Sequence, residues 1–146
     1  LEGTYFWEGH PRNAQKDPAS QDQLYRAAVG VDDRGASVSD SKDVSTYSHM
    51  FGCWETLNII KAGMESAGYQ GPADRAKLIE AVEAMSDMPL SDDHPQGAKR
   101  FNGKTHQTFG HQYISQVIDG DLIKAHTTSI EDGMYEDEVD YTAQSF

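Results

Sequence analysis

The chain is poor in cysteine, in positive charge and in long apolar runs. Its 146 residues include one cysteine, Cys53, which excludes an internal disulfide framework and any cysteine-rich zinc site. Lys and Arg number 12 against 24 Asp and Glu, a formal net charge of −12. Double-stranded nucleic acid carries one negative charge per ~1.7 Å and would be repelled, as would an anionic membrane surface, so nucleic acid is not an expected partner. No run approaches the roughly 18 apolar residues of a membrane-spanning helix. Hydrophobic residues reach only 37%. Aromatics are not scarce, however: seven Tyr, two Trp and five Phe are too many for a disordered acidic tail, and the length is enough for one domain with a core. An initiator Met and a charged leader are also missing. The chain opens on Leu1-Glu2-Gly3, within what reads as a strand, so either a targeting segment has been removed or the sequence is a piece of a longer chain.

Periodicity and punctuation give an order of elements. Gly3–Glu8 is aromatic and β-prone and predicts a buried strand. Asp17-Pro18 reads as a helix start, with Leu24, Ala27 and Ala28 as the apolar face and an end near Gly30. Residues 30–43, rich in Gly, Ser and Asp, read as a loop crossing between two structural units. A long helix follows over about 45–67, capped by Asp43 or Ser45, with Phe51, Trp54, Leu57, Ile60 and Met64 as one wide stripe and Gly68 as its stop. After Gly71-Pro72 a second helix spans about 73–86, with Leu78, Ile79, Val82 and Met85 on its buried face and Asp74 in its first turn. Residues 87–110 read as irregular. Asp119-Gly120 between two β-prone runs predicts a tight hairpin. From Glu131 to Asp140 there are six acids and no base, a solvated extension anchored by Tyr135 and Tyr141. The order is α/β, with too few strands for a complete sheet covered on both faces.

Most chemistry-bearing residues have a plain reading. His94, His106 and His111 lack the spacing of a zinc site and read as satisfied loop or strand histidines, so no metal is expected. Cys53 has no nearby cation to activate it and reads as a small buried hydrophobe. Asp92-Asp93 and Glu136-Asp137-Glu138 are adjacent acids in polar surroundings, without the burial that acid–base catalysis needs. Phosphate loops and nucleophile elbows are absent. Thr46-Tyr47-Ser48-His49 stands apart, because it sets hydroxyls, a phenol and an imidazole at a helix N-terminus, where free N–H groups attract anions and aromatics suit a small-molecule cleft.

Four stretches together resemble the C-terminal portion of type I periplasmic solute-binding proteins, the leucine/isoleucine/valine-binding family of ABC transporters. Glu2-Gly3-Thr4-Tyr5-Phe6 with Asp17-Pro18-Ala19 is similar to the family's strand followed by a helix opening Asp-Pro-Ala. Gly63-Met64-Glu65-Ser66-Ala67-Gly68 looks like its long-helix ending. Asp74 to Met85 is similar to its next helix. Phe101, His106-Gln107 and Gln112–Ile118 with Asp119-Gly120 look like its closing strands. The likeness covers roughly residues 1 to 130 and rests on order and spacing.

The resemblance implies two Rossmann-like lobes closing on a ligand, of which this chain would hold the last part. Residues 1–43 would be a segment of the second lobe, 44–106 a helical-hairpin segment of the first, 107–130 the closing strands of the second, and 131–146 an acidic tail. It implies a non-enzymatic, periplasmic, exported bacterial protein without a cofactor. Its ligand would be a branched-chain or other amino acid, or an amide, and its partner a membrane permease. The family's aromatic that caps the ligand falls between Tyr47 and Phe51, with His49 closest in register, so Tyr47 and His49 would line the cleft and Thr46 and Ser48 would donate hydrogen bonds. Trp54-Glu55-Thr56-Leu57 departs from the family pattern and points to an altered pocket. The alternatives are a sensor of the same fold acting on a signalling partner, a metal-dependent enzyme using His94, His106 and His111, and an interaction domain built on the acidic tail. Two incomplete lobes would need the missing N-terminal part, or an intertwined homodimer, to cover their apolar faces.

Overall fold

The computed structural model describes residues 1–13, 19–39 and 48–144, with Ser48 and His49 by backbone alone. Helices and strands are mixed, so the chain is broadly α/β. In chain order the elements are β1 (Tyr5–Glu8), α1 (Ser20–Val29), α2 (Ser48–Ala67), α3 (Arg75–Glu83) after a short turn at Pro72–Asp74, β2 (Lys99–Asn102), β3 (Gln107–Gly110), β4 (Tyr113–Ile118) and β5 (Asp121–Thr127). One antiparallel sheet runs β1-β4-β5, and β2-β3 forms a separate hairpin.

The local signals behave as their chemistry dictates. Asp119 (φ 52) and Gly120 (φ 80) both occupy the left-handed region, and two such residues make the turn whose twist matches its flanking strands. Gly68 (φ 60) stops α2: its N–H donates to Glu65 O and that of Tyr69 to Met64 O, satisfying carbonyls the helix end would strand. Gly30 (φ 70) ends α1 similarly. The expected Asp17-Pro18 start and the Asp43 and Ser45 caps lie outside the described residues.

Which faces are buried differs from expectation. β1 forms where predicted, at the edge of its sheet and paired to β4 alone, yet it is not buried: Tyr5 and Trp7, on one face of the strand, are 61% and 69% exposed. On α1 the apolar face points outward. Leu24 is 60% exposed while Asp22 and Arg26 are buried. On α2 only Phe51 of the predicted stripe is buried, at 1%, while Trp54, Leu57, Ile60 and Met64 are exposed. The inward row is Phe51, Glu55, Ile59 and Gly63, four residues apart. The predicted face of α3 is half-buried.

Residues 99–110, read as irregular, hold the β2-β3 hairpin. Short strands carrying Lys, Arg and Asn, joined by the four-residue turn Gly103–His106, give little local signal. Gly103 presses on the end of α3: a Cβ there would stand 2.3 Å from the Glu83 carbonyl oxygen. Since backbone must then shift, Gly103→Ala is expected to cost about 1–3 kcal/mol in urea unfolding, and a loss below about 0.5 kcal/mol would show that the hairpin is free of α3.

The acidic tail is strapped onto this hairpin. Tyr135 meets Phe109 edge-on at 5.3 Å, and Tyr141 stacks on His106 at 5.0 Å, so both expected anchors hold. Arg100 bridges Asp87 and Glu131, and Asp137 accepts from Asn102 at 2.6 Å.

Candidate functional site

A groove of about 660 Å3 opens between the end of β1 and the first turns of α2, lined by Trp7, Gly9, Gly52, Cys53, Leu57 and Gln96. It deepens toward Glu55, Lys99 and Gln112. Exposed Trp7 forms one wall. The turn at His94–Gly97 forms another. It is fixed to α2 from two sides, since the Trp54 indole N–H donates to Asp92 O at 2.8 Å and Gln96 N–H donates to the Glu55 carboxylate at 2.7 Å. The Gln96 side-chain amide donates to Gly9 O at 3.2 Å and Tyr113 Oη to Gln96 O at 2.7 Å. Gln96 thereby joins β1, α2 and β4 in one hydrogen-bonded unit.

The floor carries a buried ion pair. Lys99 Nζ lies 3.3 Å from Glu55 Oε2, with side chains 11% and 4% exposed, and donates to Gly97 O at 3.1 Å. Burial raises the Glu55 carboxyl above its ordinary range, against the pull of Lys99 and the Gln96 N–H. Burial likewise lowers the Lys99 ammonium, against the pull of Glu55. Each charge is tolerated in this medium because the other is present.

Beyond Phe51 lies a second buried network. Asp22 accepts from Arg26 Nε at 2.9 Å and is bonded to His10 Nε2 at 3.1 Å. Arg26 also donates to Asp32 O and Arg12 O. Burial pushes the Asp22 carboxyl up, but the hydrogen bonds to His10 and Arg26 together with their charges outweigh it, and the net shift is downward. A lowered carboxyl contributes stability that is full above its unfolded value and is lost as pH falls through the folded one. Asp22→Asn is therefore expected to cost about 1.5–3 kcal/mol at pH 7. The gap from the parent should narrow as pH falls below the ordinary value of 3.8, read from urea midpoints at pH 7 and pH 3; a gap undiminished at pH 3 would contradict the assignment.

Of the residues named from sequence, Thr46 and Tyr47 lie outside the described residues, and Ser48 and His49 are placed only by backbone, in the first turn of α2. Cys53 is exposed, not buried, because it sits off the inward 51–55–59–63 row. His94, His106 and His111 are not gathered: His106 bonds Glu83 at 2.7 Å, and His111 Nδ1 lies 2.7 Å from Thr128 O. Among the described residues no three metal-ligating side chains converge. Sequence reading missed Glu55, Gln96 and Lys99. Glu55 left a signal, as the one acid on the inward row of α2. Gln96 and Lys99 left none, being joined to Glu55 only through the fold. No protein-family profile matches the chain, and no curated protein matches it significantly.

Proposed function

We propose that the chain is the C-terminal portion of the substrate-binding component of a bacterial ABC transporter. It would have the type I periplasmic-binding-protein fold, bind an amino acid or amide between two lobes and deliver it to a membrane permease. The observation that carries the reading is the groove. Its walls come from Trp7–Gly9 and Gly52–Leu57, the segments on either side of the stretch read as a crossing between lobes, and its lining sets the exposed Trp7 indole beside polar Thr56 and Gln96, the mix of aromatic and polar groups that a small-molecule cleft uses. Lobe closure would shift an open–closed equilibrium and requires no chemistry at the ligand. The exposed row of Trp54, Leu57 and Met64 on α2 supports the same reading, as a face for the preceding portion of a longer chain or for an intertwined second copy.

Calorimetry of the full-length protein against an amino-acid and amide panel is expected to give saturable one-to-one heat for at least one member. Trp7→Ala should weaken that binding roughly two- to twelve-fold, the worth of an aromatic contact. No heat from any member would sink the proposal.

A further inference from the structure

A second concavity, of about 440 Å3, lies between the α2-α3 helical hairpin and the β2-β3 hairpin. Ile59, Ile60, Leu78, Ile79, Val82 and Phe101 wall it. All six are apolar, and each is half-buried or exposed, so their hydrocarbon faces a space that nothing among the described residues fills. Such walls forgo both desolvation and dispersion contacts until something occupies them. The lining carries one hydrogen-bonded polar pair, Glu83 and His106, 2.7 Å apart. His106 is held at φ 55 and stacked against Tyr141 of the acidic strap, so this polar group is fixed in place. An apolar trough with a few fixed polar groups is the pattern of small-molecule sites.

We infer that this trough binds a small uncharged amphiphile, with a short aliphatic or aromatic body on the hydrocarbon walls and one hydroxyl or amide end hydrogen-bonded to the Glu83–His106 pair. Charge selects the class. A carboxylate-headed ligand would meet the Glu83 carboxylate and find no Lys or Arg in the lining to pair with, a like-charge encounter that a neutral head avoids. The trough adjoins the groove at Thr56, Ile59 and Thr108, but its α3 wall is its own.

The test is titration of the protein with the neutral fluorophore N-phenyl-1-naphthylamine, followed by displacement with 1-octanol or octanoate. Saturable one-to-one binding is expected, with octanol displacing at a concentration at least tenfold below octanoate. Ile60→Trp, which fills the trough from its exposed wall, should weaken the fluorophore at least tenfold with the unfolding midpoint and any amino-acid heat unchanged. Ile79→Phe fills it from α3 and gives an independent check. The inference is overturned by unsaturable binding, by binding that both variants leave intact, or by octanoate displacing as well as octanol. It is equally overturned by a concentration-dependent rise in mass that Ile60→Trp abolishes, which would assign the trough to a second copy. None of these outcomes bears on amino-acid binding in the groove.

Discussion

Lys99→Met is expected to destabilise the protein by about 3–5 kcal/mol at neutral pH, the cost of leaving a buried charge without its partner. Lys99 holds Glu55 at 3.3 Å, and with Met in its place the Glu55 carboxylate keeps only the Gln96 N–H among the polar contacts described above. Glu55→Gln should cost a similar amount by stranding the ammonium. The double variant should recover most of either loss, because two neutral side chains of similar volume owe no desolvation of charge. The sign with pH is fixed. In Lys99→Met the carboxyl is raised further, so protonation favours the folded state. The deficit should be smallest below its unfolded value, near 4.5, and grow as pH rises through the folded one. Urea unfolding of the four proteins at two pH values gives the cycle. Additive single losses, or a deficit that does not shrink on acidification, would mean that the pair is not coupled.

Phe51→Ala is expected to cost about 3–5 kcal/mol, the range for emptying a fully buried aromatic site. Phe51 is 1% exposed and packs on His10 at 4.9 Å and Tyr25 at 5.6 Å. It joins α2 to the β1-α1 part of the chain. Phe51→Leu keeps most of the volume and should lose less than about 1.5 kcal/mol. If hydrogen exchange in α1 accelerates with that in α2 in the Ala variant, Phe51 is the joint between them. A loss under about 1 kcal/mol would show that it is not.

Much of the local architecture was legible because its causes are local. Asp119-Gly120 announces its turn through the φ values those residues tolerate, and Gly68 announces the end of α2. The β2-β3 hairpin was not legible, since its strands are four residues long, polar, and held in register by the fold around them. The long helix α2 was visible, but the charged floor of the groove was not.

By itself the sequence determined the net charge of −12, the existence and order of the main helices, and the C-terminal hairpin. Tertiary structure alone decided which faces turn inward. Asp22, Arg26, Glu55 and Lys99 are buried while Leu24, Trp54 and Leu57 are exposed, the reverse of what hydropathy predicts. A charge can be buried only when its partner arrives with it, and Glu55 and Lys99 lie 44 positions apart in the chain (99 − 55). Helical periodicity reports that a face is apolar but not what stands opposite it, and for a buried ion pair the opposite side is the whole of the energetics.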